Sequence, residues 1–299
     1  PSFFICHARA VGTVPCQNAS NGNFNHFGKA QGFDRVESAV DFCGSDAPKT
    51  WVGVYDHVFL EQAAQLMKQI DVPTFHFVYT TSNHGPYKIP NSVLQFDANM
   101  LLKDAGDDIR CNKERCAGLG TARYADMAVQ RFIQEMKQTY PDSLFIYTGD
   151  HSSLYTPLNQ TKLVPRDYTF RELYCTPLLM NHPQISQDLF SHTTIGTHLN
   201  IIPTIIELVA PKGFTYYSIY PSLTESQPDI LATPKQWISK DELGETASGR
   251  VEKVGESIPK VREKYMPEHT TGRTLSSDMV SLTAWIVKHK NTCLDCIQK

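Results

Sequence analysis

The stretch LFIYTGDHSS, residues 144–153, ends an apolar run at a glycine and places Asp150 and His151 side by side directly after it. A short apolar run with a Pro-Asp turn before it and a glycine after it predicts a buried β-strand. In open α/β sheets, ligand-binding residues gather at the carboxyl ends of such strands. A carboxylate beside an imidazole suits zinc or manganese, although an Asp-His pair also serves as a helix N-cap with a surface histidine.

Strand-like and helix-like segments alternate along the first two thirds of the chain. The strand-like segments are 2–7, 50–55, 73–81, 143–149 and 175–181, and the amphipathic segments are 57–70, 117–138 and 199–211. This alternation predicts an α/β/α sandwich with a mostly parallel sheet. After residue 212 the sequence changes to short polar segments rich in Gly, Pro, Thr and Ser, which predict a smaller β-rich subdomain. We therefore expect a main domain over residues 1–212 and a C-terminal subdomain over 213–299.

Composition and charge narrow the class of function. Of the 299 residues, 41% are hydrophobic and 20% are charged, which is typical of a globular protein. The formal net charge of −3, with lysines and arginines scattered along the chain, argues against a nucleic-acid partner. No window approaches the roughly 18 uninterrupted apolar residues of a membrane helix.

Eight cysteines are many for a cytosolic enzyme of this size, and four of them form two close pairs. Cys111 and Cys116 are separated by four residues, and Cys293 and Cys296 by two. The spacing leaves disulfide, zinc and redox interpretations open. Loop disulfides in an oxidising compartment are the interpretation that we favour.

A second apolar run, PTFHFVYTT (73–81), continues into SNHGPY (82–87), so His84 also follows a predicted strand. Taken alone, His84 is interpreted as a turn histidine beside a capping asparagine. Together with Asp150 and His151 it predicts one site at the edge of the sheet, because the loop glycine and proline are residues that shape a loop around a ligand.

These motifs occur in a recognisable order. TTSNHGPY is followed by ARYADMAVQRFI, then LFIYTGDHSS, CTPLLM and GTHLNIIPTIIELVAPKGFTYYS. Over roughly residues 1–225 the chain resembles the alkaline phosphatase and sulfatase superfamily. Within it, the chain is most similar to lipoteichoic acid synthase-like phosphoglycerol and phosphoethanolamine transferases.

The resemblance implies an enzyme that transfers a phosphate-containing lipid headgroup through a phospho-threonine intermediate. By position, Asp150 and His151 match the Asp-His pair that binds the catalytic zinc or manganese. His84 matches a histidine that holds the substrate phosphate or headgroup, and His7 lies where a further substrate-binding histidine stands, although the sequence around it departs from the family pattern. His198 resembles a sulfatase histidine, but we expect it to serve packing or capping.

The family's nucleophilic threonine and the acidic residue that completes its metal site precede the strand that we match to residues 2–7. The resemblance therefore implies that the nucleophile, and membrane segments before it, lie outside this sequence, so the isolated chain need not be active. Thr13, in VGTVPC (11–16), loosely resembles a Gly-Thr stretch of phosphoethanolamine transferases and is an alternative candidate nucleophile.

Other functions remain open at this point. A phosphodiesterase, phosphatase or sulfatase of the same superfamily is one alternative, but neither Cys6 nor Cys16 stands in the Cys/Ser-x-Pro-x-Arg setting of a sulfatase. A non-catalytic binding module on the same fold is another. For a transferase, the resemblance implies a phospholipid donor, a glycan, lipopolysaccharide or polymer acceptor, and a location in the periplasm or on the extracellular face of the inner membrane. The sequence does not distinguish the headgroup, the acceptor or the metal.

Overall fold

The computed structural model describes residues 11–13, 28, 33–88, 107–110, 112–151, 160–162, 168–193, 195–254, 272 and 274–282. Within these residues the chain forms a parallel sheet, an antiparallel pair of strands and a four-stranded antiparallel sheet, with helices between them. The mixture of parallel strands, crossover helices and antiparallel strands is an α/β architecture.

The parallel sheet consists of three short strands, β1 (Val11–Thr13), β2 (Arg35–Glu37) and β3 (His76–Val78). Strand β1 lies in the centre, where Gly12 pairs with Val36 on one side and Phe77 on the other. All three strands point the same way, so their carboxyl ends lie at one edge of the sheet.

Two helices connect β2 to β3, as parallel strands require. They are α1 (Ala39–Cys43) and α2 (Asp56–Met67). Ser38 is the N-cap of α1, and its backbone N–H donates to the Asp41 carboxylate at 2.9 Å. In α2, apolar residues recur every three or four positions and form one buried face.

The core of this region forms where α2 packs against a long helix. After the short helix α3 (Asp107–Arg110), the chain enters α4 (Lys113–Thr139), whose N-cap Asn112 accepts two backbone N–H groups. Buried side chains from the two facing helices form one cluster, namely Phe59, Leu60, Ala63, Ala64 and Met67 with Ala128 and Met136. The hydroxyl of Tyr140 donates to the carbonyl of Met67 at 3.1 Å and fixes the end of α2.

Strands β4 (Phe145–Thr148) and β5 (Leu178–Asn181) form the antiparallel pair. Helix α5 (Phe170–Tyr174) precedes β5 and begins with a capping box, in which Thr169 and Glu172 satisfy each other's backbone N–H groups. A 3₁₀ turn at Gln187–Phe190 follows β5. Another at His198–Asn200 leads into α6 (Ile201–Val209).

The four-stranded sheet is an antiparallel meander with the order β6-β7-β8-β9. Its strands are β6 (Ile230–Ala232), β7 (Gln236–Ser239), β8 (Glu242–Glu245) and β9 (Val251–Lys253). Trp237 is buried on this sheet against Val251 and Met279, the latter on the helical segment 274–282. The buried carboxylate of Glu252 accepts the backbone N–H of Phe170 at 2.6 Å, which joins the meander to α5.

Most of the predicted elements within the described residues are confirmed. Segments 57–70, 117–138 and 199–211 are helical over most of their length, and 73–81, 143–149 and 175–181 each contain a strand. The meander confirms the predicted β-rich character after residue 212. Among the described strands, β1, β2 and β3 are parallel as predicted, whereas β4 and β5 run antiparallel. Segment 2–7 lies outside the described residues, and the domain division at 212 and 213 stays a prediction.

The predicted strand over 50–55 is wrong. Lys49 and Val54 form an isolated antiparallel bridge, and the backbone N–H of Thr50 donates to the carbonyl of Gly53 at 2.9 Å. The chain therefore reverses within this apolar segment, and α2 begins at Asp56. A tight turn containing a glycine overrides the β-propensity of the flanking residues.

The expected disulfides are not confirmed. Within the part of the chain that the structure describes, Cys43, Cys116 and Cys175 are present as thiols. The Cys116 thiol donates to the carbonyl of Ile109 at 3.2 Å. Cys111, Cys293 and Cys296 lie outside the described residues.

Candidate functional site

Asp150 and His151 lie where the sequence predicts them, directly after β4. Asp150 Oδ1 accepts the backbone N–H of His151 at 2.9 Å. Its other oxygen, Oδ2, lies 3.4 Å from His151 Nε2. Both side chains are solvent-exposed, at 49% for Asp150 and 70% for His151, so a ligand can reach them.

A tyrosine from the neighbouring strand orients this carboxylate. Tyr79 follows β3 directly, and its hydroxyl donates to Asp150 Oδ2 at 2.9 Å. The carboxyl ends of β3 and β4 therefore meet, as the strand-end argument predicts. Sequence reasoning missed Tyr79, because nothing in an apolar strand distinguishes a tyrosine whose hydroxyl leaves the core from one that packs in it.

His198 also belongs to this edge of the structure. Its Nε2 lies 2.7 Å from the carbonyl oxygen of Gly149, the residue before Asp150, and 3.3 Å from Thr176 Oγ1. Thr197, rather than His198, caps the 3₁₀ turn that leads into α6. His198 is exposed, and its ring contacts the backbone from which Asp150 projects, so its described contacts are structural although it is not the cap.

His84 lies in the loop that follows Tyr79 and β3. Its Nδ1 donates to the carbonyl of Gly85 at 2.8 Å, which leaves Nε2 for a ligand. The ring stands edge-on to the indole of Trp51, with ring centroids 5.7 Å apart. The described contacts of the His84 ring are thus to Gly85 and Trp51, while the Asp150 carboxylate contacts His151 and Tyr79.

The start of α2 anchors the His84 loop. Asp56 is 1% exposed, and its Oδ1 accepts the backbone N–H groups of Thr81 and Ser82, each at 3.1 Å. Burial raises the pKa of the Asp56 carboxyl, and these hydrogen bonds partly oppose that rise. The next residue, His57, has a pKa lowered by burial, and its Nδ1 lies 2.6 Å from the hydroxyl of buried Tyr124.

Of the remaining candidate residues, His7 lies outside the described residues. Thr13 is the last residue of central strand β1 and pairs with Val78, the neighbour of Tyr79. The backbone thus carries Thr13 to the edge of the sheet at which Tyr79 lies. Its part as a nucleophile stays a prediction.

The Asp150 and His151 pair fits a divalent cation as two of its ligands. Two donors held at about 2.1 Å from a tetrahedral ion lie about 3.4 Å from each other. The observed Oδ2 to Nε2 distance is 3.4 Å. Among the residues that the structure describes, no three His, Cys, Asp or Glu side chains gather as a metal-binding group. Further ligands would come from outside that set.

Comparison with known proteins identifies the family of the chain. The family model described as Sulfatase matches residues 8–210, more than half of the chain. The chain belongs to the sulfatase family. Members of the sulfatase and alkaline phosphatase superfamily are enzymes that generally depend on a divalent metal.

This sulfatase-family chain is similar to the lipoteichoic acid synthase-like protein YvgJ of Bacillus subtilis. The two are 26% identical over 198 residues, which cover 61% of this chain and 30% of the relative. Lipoteichoic acid synthase 1 of the same organism is 21% identical over 78% of this chain and 37% of its own length. The matched part therefore spans less than two fifths of either relative.

Solved structures show the same fold. The lipoteichoic acid synthase LtaP from Listeria monocytogenes aligns with a TM-score of 0.68 and 18% identity, covering 92% of this chain and 70% of its own. An alkaline phosphatase superfamily protein from Vibrio parahaemolyticus aligns with a TM-score of 0.60 and 17% identity, covering 94% and 66%. The predicted alkaline phosphatase-like α/β fold is thereby confirmed.

Proposed function

We propose that this chain forms part of the catalytic domain of a metal-dependent transferase. It moves phosphoglycerol or phosphoethanolamine from a membrane phospholipid to an acceptor of the cell envelope. The observation that carries the proposal is the Asp150 and His151 pair, whose side-chain oxygen and nitrogen lie at the separation that one divalent cation requires. The similarity to lipoteichoic acid synthase-like YvgJ supports phosphoglycerol as the headgroup.

Each residue of the candidate site has a part in this chemistry. Asp150 Oδ2 and His151 Nε2 would hold zinc or manganese. When bound, the cation lowers the pKa of a hydroxyl nucleophile and offsets negative charge on the phosphoryl oxygens. Tyr79 and His198 keep the carboxylate and its backbone in place. With Nδ1 bonded to Gly85, the doubly protonated ring of His84 donates through Nε2 to a phosphoryl oxygen. His7, outside the described residues, is the candidate for a further contact with the headgroup.

The transfer proceeds by two displacements at phosphorus. A threonine hydroxyl attacks phosphorus and gives up its proton, the phosphorus–oxygen bond to the diacylglycerol breaks, and the departing oxygen takes up a proton. The hydroxyl of the acceptor then attacks the phospho-threonine and gives up its proton, and the threonine oxygen is released and takes up a proton to restore its hydroxyl. Asp150, His151 and His84 supply neither the nucleophile nor the remaining metal ligands. Thr13 is one candidate for the nucleophile.

The proposed partners follow from the same chemistry. The donor is a membrane phospholipid, and the acceptor is a glycan, a lipopolysaccharide or an envelope polymer. Such a reaction takes place on the periplasmic or extracellular face of the membrane. In the described part of the chain, no helix combines the length and apolar character needed to cross a membrane.

Metal analysis is the first test of the proposal. The chain is dialysed against equal zinc and manganese, and bound metal is measured by elemental analysis beside the double variant Asp150→Ala, His151→Ala. We expect near-stoichiometric metal in the parent and its loss in the double variant. A matched control is Asp188→Ala, His192→Ala, which removes an exposed aspartate and histidine elsewhere on the surface and should keep the metal.

Two results would contradict the metal site. Either the parent takes up no metal, or the double variant retains as much as the control.

Vesicles that contain headgroup-labelled phosphatidylglycerol distinguish transfer of the headgroup from its hydrolysis. A transferase moves the label to a hydroxyl acceptor, whereas a phosphodiesterase releases glycerol phosphate into solution.

A further inference from the structure

Asp56 makes an unusual set of contacts at the start of α2. Its Oδ1 accepts the backbone N–H groups of Thr81 and Ser82 at 3.1 Å each. In return, the backbone N–H of Asp56 donates to Ser82 Oγ at 2.9 Å. One residue therefore ties the first turn of a helix to two consecutive residues of a loop 25 positions further along the chain.

The loop that Asp56 holds is the one that carries His84. The backbone N–H of His84 donates to the carbonyl of Thr81 at 3.1 Å, so the peptide unit fixed by Asp56 also fixes His84. On the other side, an added Cβ at Gly53 would lie 2.6 Å from Thr81 Oγ1. The loop is therefore held between the turn before α2 and the Asp56 carboxylate.

The start of α2, which carries this carboxylate, is itself held by a hydrogen bond. The hydroxyl of Tyr124, which is fully buried on α4, accepts the backbone N–H of His57 at 3.1 Å. The start of α2 is thus bonded to the long helix at His57 and to the loop at Asp56. Motion of the His84 loop away from this position would break several buried hydrogen bonds at once.

Burial of a carboxylate costs free energy unless its oxygens are hydrogen-bonded. Asp56 Oδ2 is buried and has no hydrogen-bond partner within the described residues. An asparagine could accept the same two N–H groups without burying a charge. Asp56 does not touch His84 itself, so any effect on a ligand must pass through Thr81 and Ser82.

We propose that Asp56 is the positioning residue of the phosphate-binding loop. It holds Thr81 and Ser82 so that His84 Nε2, in the doubly protonated ring, faces a phosphoryl oxygen of the headgroup. This inference rests on the proposed function, because it assigns His84 to the headgroup phosphate.

The test measures binding of glycerol 1-phosphate by calorimetry, with manganese present, to the full chain and its variants. Asp56→Ala should weaken binding about tenfold or more, as loss of a supporting residue commonly does. Metal content should not change, since none of the described contacts of Asp56 is with Asp150 or His151. Asp56→Asn keeps an acceptor oxygen and should restore binding.

A double-mutant cycle shows whether Asp56 acts through His84. In the His84→Ala background, Asp56→Ala should add little to the loss, because coupled residues are not additive. Asp41→Ala is the matched control: Asp41 also accepts a backbone N–H, at the start of α1, and should bind as the parent does. If Asp56→Ala does not fold, Ser82→Ala, which removes the oxygen that accepts the Asp56 N–H, takes its place in the cycle.

The outcomes separate the two claims. If the parent does not bind glycerol 1-phosphate, the proposed function fails and the inference falls with it. If the parent binds and Asp56→Ala binds equally well, the inference alone is overturned. Losses from Asp56→Ala and His84→Ala that multiply would also overturn it, because the two residues would then act independently.

Discussion

The hydroxyl of Tyr79 donates a 2.9 Å hydrogen bond to Oδ2 of Asp150, although the two residues are 71 positions apart in the chain. Oδ2 is also the oxygen that lies beside His151 Nε2. The tyrosine therefore sets the direction of the carboxylate oxygen that faces the histidine.

From this contact we predict weaker metal binding in Tyr79→Phe. Loss of a hydrogen bond to a ligating carboxylate commonly lowers metal affinity about 10- to 100-fold. Competition with a fluorescent zinc chelator measures the change. Tyr140→Phe removes a tyrosine hydroxyl that donates to Met67, within the α2 and α4 packing, and should leave the affinity unchanged. Equal affinities for Tyr79→Phe and the parent would show that the hydroxyl does not orient the ligand.

His198→Ala should also weaken metal binding, by about tenfold, because His198 supports the backbone carbonyl immediately before Asp150. His198→Gln retains an N–H donor of similar reach and should recover part of the loss. His182→Ala serves as the control, since the described contact of that side chain is local, with the backbone N–H of Gln184. The prediction fails if the alanine and glutamine variants behave alike.

The stability of Asp56→Asn relative to the parent should depend on pH. Burial raises the pKa of Asp56 above its ordinary 3.8, so the folded chain holds this proton more tightly than the unfolded chain. The parent therefore loses stability as the pH rises from 3.8 to the raised pKa, by up to about 1.4 kcal/mol per pH unit, and then levels off. The asparagine variant does not show this loss.

Urea denaturation of both proteins from pH 4 to pH 8 measures the effect. The difference in the free energy of unfolding, variant minus parent, should increase through that window and then become constant. His57, whose pKa is lowered by burial, titrates in both proteins and cancels in the difference. A difference that does not change with pH would contradict the prediction.

Gly53→Ala should destabilise the protein by about 1–3 kcal/mol, because the new methyl group would lie 2.6 Å from Thr81 Oγ1. Thermal denaturation measures the stability of this single variant and of the double variant Gly53→Ala, Thr81→Ala. The comparison identifies the cause of the loss. Since the second substitution removes the obstructing oxygen, the double variant should regain much of the lost stability. Additive losses would place the strain elsewhere.

The sequence predicts the positions of Asp150 and His151 well, because apolar runs that end at a glycine define strand ends. It does not predict the residues that hold them, or the His84 loop, in place. Tyr79 and His198 contact Asp150 and its backbone, and Asp56 holds the His84 loop, through contacts between residues that are 25 to 71 positions apart in the chain. No local spacing encodes such contacts.

The error at residues 50–55 has a related cause. An apolar, β-branched segment favours a strand, but the turn closed by Thr50 and Gly53 depends on one glycine and on its close approach to Thr81. Similarly, β-propensity identifies β4 and β5 but not their antiparallel direction, which depends on how the chain returns between them.

The order β2-β1-β3 has a consequence for the nascent chain. Of these three strands the central one comes first in the chain, so its pairing with β2 does not have to wait for β3. Until His76–Val78 emerges, one side of β1 keeps unpaired backbone groups, which are able to join a strand of another polypeptide. The edge of the sheet that bears the candidate site is therefore completed only after α2 has left the ribosome.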